Sequence, residues 1–371
     1  MLLFLFLLFG FLPLEGDTSP ISCYNDQGAA VDWFYLYKLP KETRRTSPKE
    51  GEKYLLLDKG SEGWTDGKVT VNDTLGALGR TVGQLYSQEK SSDVAYILYN
   101  DQPPSEEFGR RGGDTRGSRR GHTKGVVLLG KMQGFWLVHS TPHFPPERQT
   151  GRYSYPSSGE NNGQNFICVT YPLDRFQTIG EQLQINQPDV YDCHVPESFA
   201  SSVPALAAVC NRNQISPHLK PVSNRSVTLT SKDGTDFISF AKGASFDDDL
   251  YHAWVAPALQ SDLLVQFWVR STGVLPSNCS LGWKVLDIKL INPGRSFSFK
   301  STQDHSKWAV SAKAGRRGAG GGWVCVGDIN RNEAEEKRGG GTVCLQDPVV
   351  WKAYRTAALQ CEACGGETIE C

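Results

Sequence analysis

A His-x-Lys triplet occurs twice, as His122-Thr123-Lys124 and His305-Ser306-Lys307, and the chain around both copies reads in the same order. Ahead of the first, residues 78–86 carry helix-spaced apolar positions and residues 94–99 form a β-branched and aromatic run. Behind it come the short apolar runs 126–129 and 134–138. Ahead of the second, residues 250–259 read as a helix and 263–269 as a strand; the runs 283–291, 308–310 and 322–326 complete that half. Short apolar strands alternating with helices call for layers, with helices covering sheet faces. The order therefore predicts an α/β (α+β) chain of two similar halves, each a mixed β-sheet covered by helices, with the triplets meeting at the seam. The halves are drawn at residues 17–200 and 201–371.

Residues 1–14 are almost wholly Leu and Phe, too short to cross a bilayer and too terminal for a core helix. They read as the apolar region of a signal peptide, residues 1–16, cleaved near Gly16. No Lys or Arg follows Met1 directly, which leaves an uncleaved anchor as the alternative. No later stretch of about 18 apolar residues follows, so a non-membrane protein of the secretory route is expected. Ten cysteines then read as disulfides, because thiols oxidise in that compartment. The one CxxC, Cys361 to Cys364, lacks a βαβ context and a second ligand pair, so it is read as structural. Asn72, Asn224 and Asn278 each begin an N-x-S/T glycosylation triplet.

A formal net charge of -1 offers no global attraction for polyanions, so any contact with nucleic acid has to come from local patches. Two exist. Arg110, Arg111, Arg116, Arg119 and Arg120 lead into the first triplet, and Lys313, Arg316 and Arg317 follow the second. A basic, Gly-rich loop is by itself often a solvated linker; the position of both clusters beside the same triplet favours binding. The Gly-rich stretch 315–322 runs into a strand rather than a helix, which argues against a dinucleotide loop. None of the other five histidines has metal-ligand spacing, and no G-x-S-x-G elbow is present, so no metal or cofactor is assigned. Most of the nine Trp and thirteen Tyr lie in apolar runs and are read as core.

On a strand, residues i and i+2 face one side, so each His would project with its Lys. Two imidazoles and two ammonium groups at one point can attack, protonate and neutralise a phosphodiester. One such triplet alone is a chance event; two in matched settings are not.

Motifs along nearly the whole mature chain strengthen that reading. They include 31–34 with 37–40, Leu98-Tyr99-Asn100-Asp101-Gln102-Pro103-Pro104, Gly121-His122-Thr123-Lys124-Gly125, 134–140, 275–280, Asp304-His305-Ser306-Lys307-Trp308, 325–328 and Arg338-Gly339-Gly340-Gly341-Thr342. On these the chain resembles the deoxyribonuclease II family, within the phospholipase D-like superfamily. That resemblance implies a phospholipase D-like pseudo-dimer in which His122, Lys124, His305 and Lys307 build one metal-free site. The implied reaction is acid endonucleolytic cleavage of DNA to 3'-phosphate and 5'-hydroxyl ends through a phosphohistidine, in lysosomes or secretions. Either histidine can be the nucleophile by symmetry; analogy with the superfamily leans to His122. Flanking cations are expected to depress both histidines. Ser140, Asp328 and Asn330 are candidate orienting residues, and Arg116, Arg119, Arg120, Arg316 and Arg317 candidate DNA contacts. A monomer with an internal pseudo-two-fold axis, or a homodimer, is implied, with DNA as the partner and no membrane.

The chain departs from the family pattern in the long Gly/Arg-rich connection from His305 to Cys325, in Ala309 where many relatives carry Cys, and in its Cys-rich tail. None of these touches the triplets. The pairings read beside the resemblance are Cys23 with Cys168, Cys325 with Cys344, and Cys279 with Cys361 or Cys364, while Cys193 with Cys210 and a loop to Cys371 absorb the rest. Two other functions fit the dyad: a phospholipase D-like enzyme on another phosphodiester, which would need an apolar cleft, and a catalytically silent secreted nucleic-acid-binding protein.

Overall fold

The computed structural model describes residues 20–42, 50–87, 94–104, 120–211, 222–315 and 322–371. The signal-peptide segment 1–16 and the candidate DNA contacts Arg116, Arg119, Arg316 and Arg317 lie outside the described residues. No helix among the described residues is long and apolar enough to cross a membrane.

Two large sheets organise the chain as α/β layers. The first has eight strands, all paired antiparallel, in the spatial order Val190–His194, Ala95–Asn100, Lys124–Leu129, Gln133–His139, Gln164–Pro172, Trp33–Lys38, Tyr54–Asp58, Thr65–Asp66. The second runs Asn224–Thr230, Asp236–Lys242, Gly340–Gln346, Trp323–Gly327, Trp308–Ser311, Leu263–Gln266, Val285–Ile291, Ala358–Glu362, Thr368–Glu370, with Phe299–Lys300 beside Val285–Ile291. Its one parallel pairing is Leu263–Gln266 with Val285–Ile291. In both sheets the strand after a triplet lies between an earlier strand and the next strand in sequence, Ala95–Asn100 and Gln133–His139 in the first, Leu263–Gln266 and Trp323–Gly327 in the second.

Both faces of the sheets are buried, which explains why the strands read as continuous apolar runs. Along Trp33–Lys38, Trp33, Tyr35 and Tyr37 enter a central core shared with Trp308, Val310 and Val324 of the second sheet. The alternate residues Phe34 and Leu36 turn the other way, under Leu78, Val82 and Leu85 of the helix Ala77–Ser87. On the far face of the second sheet, Leu263, Val265 and Ala309 pack against Leu250, Val255 and Leu259. Residues 250–259 form the expected helix, but Leu250–Val255 winds as a π-helix before the short α segment Ala256–Leu259.

The strand expected over 263–269 ends at Gln266. Trp268 donates its backbone N–H to the Asn330 side chain at 3.1 Å instead of a neighbouring strand, and its ring turns to His305. The ladder stops where the chain enters the site.

All ten cysteines pair: Cys23–Cys168, Cys193–Cys210, Cys279–Cys364, Cys325–Cys344 and Cys361–Cys371. Of the alternatives for Cys279, Cys364 is the partner, and Cys361 closes the tail loop. The CxxC therefore serves two separate structural bridges.

Candidate active site

Each triplet lies at the entrance of a central strand and is tied to the opposite sheet by its own backbone. The His122 N–H donates to the Gly339 carbonyl at 2.8 Å, and the His305 N–H donates to the Gly163 carbonyl at 2.8 Å. Both acceptors have to be glycine because of close approach. A Cβ on Gly339 would stand 2.1 Å from the Asn186 carbonyl oxygen, and one on Gly163 would stand 2.3 Å from an Asp304 carboxylate oxygen.

Only Lys124 of the two triplets is inside a strand; His122, His305 and Lys307 precede theirs. Each His nonetheless shares a side with its Lys. His122 Nε2 and Lys124 Nζ both face the Asp101 carboxylate, and the intervening Thr123 is buried elsewhere. Lys307 Nζ lies 3.1 Å and 3.2 Å from the two ring nitrogens of His305, between them rather than along one lone pair. The intervening Ser306 hydroxyl turns away to donate to Asp304 at 2.7 Å.

The settings of the two imidazoles differ. His122 is 7% exposed, with Nδ1 2.7 Å from Glu335 Oε1 and Nε2 3.7 Å from Asp101 Oδ2. Arg338 joins both carboxylates, at 3.3 Å to Glu335 and 3.4 Å to Asp101, and its Nε donates to the Arg120 carbonyl at 3.1 Å. Burial lowers the His122 pKa, while Asp101 and Glu335 oppose that effect and the net shift is downward. Burial works to raise Asp101, but His122, Lys124 and Arg338 outweigh it and hold that carboxyl well below its ordinary value. The expectation of a histidine depressed by flanking cations holds in part here: burial is the largest cause, Lys124 adds a smaller lowering, and the carboxylates touching His122 oppose both.

His305 carries no carboxylate contact of this kind. Its Nδ1 is 2.9 Å from the Ser140 carbonyl and 3.2 Å from Gln164 Oε1. A carbonyl can only accept, so Nδ1 holds a proton and Nε2 keeps its lone pair in the neutral ring. Burial, then Lys307, Lys124 and His122, push its pKa well below the ordinary histidine value. Lys307 is fully buried and lowered in turn by burial and Lys124. The action of Lys124 and His122 on His305 reflects how the seam brings both triplets to one place.

The candidate orienting residues are all in the surrounding shell. Ser140 holds His305 through its carbonyl, and its hydroxyl donates to Gln164 at 2.6 Å. Asp328 accepts the Lys124 N–H and the Gly341 N–H, both at 3.3 Å, and burial pushes its carboxyl up to about 7. Asn330 acts one step out by fixing the Trp268 backbone. Asn165 does for the second triplet what Asp328 does for the first, accepting the Lys307 N–H at 2.7 Å. Sequence reasoning gives no site role to Asp101, Glu335, Arg338, Gln164, Asn165 or Trp268, although Asp101 and Arg338 lie in motifs that carry the resemblance. A cap signature was available for one: Asn332 accepts the backbone N–H of Glu335 at 3.0 Å, which starts the helix that delivers that carboxylate.

With this geometry in place, comparison with known proteins is specific. Residues 22–364 match the family model described as Deoxyribonuclease II. The chain is 46% identical to Deoxyribonuclease-2-alpha of Sus scrofa over 356 residues, 94% of this chain and 92% of that one. It is 40% identical to Deoxyribonuclease-2-beta of Homo sapiens over 360 residues, 96% of this chain and 94% of that one. It is also 34% identical to Plancitoxin-1 of Acanthaster planci over 353 residues, 95% of this chain and 94% of that one. The class so defined is a hydrolase. The chain belongs to the deoxyribonuclease II family.

Proposed function

We propose that this protein is a metal-independent acid endonuclease that cuts DNA to 3'-phosphate and 5'-hydroxyl ends, with His122, Lys124, His305 and Lys307 as its catalytic residues. One observation carries the reading. Each imidazole has Nδ1 engaged by groups from the other half of the chain, and Lys307, Lys124 and His122 all act electrostatically on His305.

His122 Nε2 attacks phosphorus. Glu335 fixes its Nδ1–H tautomer and, with Asp101, favours positive charge on the ring, which is the charge that a phosphohistidine carries. As the Nε2–P bond forms and the P–O5' bond breaks, protonated His305 gives its Nε2 proton to the departing oxygen. Neutral His305 then takes a proton from water; the oxygen attacks phosphorus, the Nε2–P bond breaks, and 3'-phosphate leaves. Lys124 and Lys307 stabilise the non-bridging oxygens. Burial lowers both imidazoles, and neighbouring cations lower His305 further, so the pair gives up its shared proton below neutrality and titrates as a unit.

The repeated strand order supports a phospholipase D-like pseudo-dimer with halves 17–200 and 201–371. Ser140, Asp328 and Asn330 act as positioning residues, and Arg116, Arg119, Arg120, Arg316 and Arg317 bind the DNA backbone. The five disulfides fit a secretory protein acting in lysosomes or secretions after loss of residues 1–16, glycosylated at Asn72, Asn224 and Asn278.

The test is plasmid nicking at about pH 5 and about pH 7.5, which bracket the reference histidine value, in excess chelator, beside His122→Ala and His305→Ala. Chelator-resistant nicking in acid alone, absent from both variants, is expected. Activity lost in chelator would overturn the metal-free mechanism, and an inert intact protein would overturn the nuclease.

A further inference from the structure

The two sheets place different side chains at matched positions beside their triplets. Asn100 faces Lys124 across its strand pair, and Gln266 faces Trp308, so Phe267 falls at the level of Lys307. One residue further on, the first sheet has Asp101 against His122 and the second has Trp268 against His305. The ring centroids of Trp268 and His305 are 5.1 Å apart, edge to face. Trp268 is not fully buried. Two residues on, exposed Arg270 holds its guanidinium 5.4 Å from the indole centroid and makes no ion pair among the described residues.

A half-buried indole needs a reason to be wet beside a reacting centre. Indole faces stack nucleobases of any sequence, and a free guanidinium neighbour takes phosphate. We propose that Trp268 is the platform for the base of the departing 5'-hydroxyl nucleotide and that Arg270 takes the next phosphate of the same strand. This rests on the nuclease reading, in which His305 protonates that nucleotide's oxygen.

A purely structural role, in which Trp268 only holds the His305 ring, makes a different prediction, and a substrate without bases separates the two. The full mature protein would be compared on oligothymidylate and on a phosphodiester oligomer of abasic tetrahydrofuran units, in acid. The intact protein should favour oligothymidylate by about tenfold or more in kcat/KM. Trp268→Ala and the bulkier Trp268→Leu should lose that preference, with a much larger fall in kcat/KM on oligothymidylate than on the abasic oligomer. Arg270→Gln should keep the preference and reduce the salt slope of binding by about one. Equal loss on both substrates would overturn the platform in favour of a prop for His305. No preference in the intact protein would overturn it even where the variants fail to fold. Failure of the intact protein to nick plasmid DNA would instead overturn the nuclease reading.

Discussion

The two triplets share their histidine and lysine and differ in the groups that touch the imidazoles. His122 is clasped by Glu335 and Asp101, while His305 rests on a carbonyl, an amide and an indole, with Lys307 over its ring. Carboxylates favour a cationic ring; neutral acceptors and a buried ammonium favour a neutral one. One motif has thus been given two electrostatic settings, so the two histidines hold a proton unequally. Symmetry of sequence does not bring symmetry of role.

Four substitutions test that contrast, beginning with the most damaging. Glu335→Gln should lower kcat by about 10³- to 10⁴-fold, the scale of a wrong imidazole tautomer, because an amide N–H at Nδ1 would move the ring proton to Nε2. A loss below tenfold in a nicking assay would show that the clasp does not set the nucleophile. Gln164→Ala should reduce kcat by about tenfold or less, since the Ser140 carbonyl still fixes the His305 tautomer. A fall as deep as that of Glu335→Gln would erase the distinction between the two settings. Lys307→Gln removes a cation that lowers His305, so the His305 pKa should rise and the alkaline limb of the pH–kcat profile should move to higher pH, at reduced maximal rate. An unmoved limb would mean that His305 does not set it. The smallest effect is expected in stability: Asn165→Ala leaves the buried Lys307 N–H without its acceptor and should lower unfolding free energy by about 1–3 kcal/mol. Denaturant titration would read it.

The parts of this molecule that repeat were legible in its sequence. Apolar runs flanked by turns marked the strands from Ala95–Asn100 to Trp323–Gly327, because strands buried on both faces have continuous hydrophobic sequences. The triplets stood out for the same reason, by recurring. The groups that make them unequal did not recur: Asp101 and Trp268 hold matched places but share no chemistry, and Glu335 reaches His122 from 213 residues away. Such contacts depend on tertiary docking, which no local spacing encodes. The strand that ended early at Gln266 failed for that reason too, since Trp268 gives up its ladder bond for the site.

None of the five disulfides joins a strand of one sheet to a strand of the other. The centre is shared across the seam, yet apart from the connecting chain its two contributors are held by packing and by bonds such as those at Gly163 and Gly339. During synthesis, then, the first sheet can be oxidised and locked before the second is made. A half-made chain carries an imidazole and an ammonium with no counterpart. On the proposed mechanism, cutting power would arrive only with the docking of the second sheet onto the first.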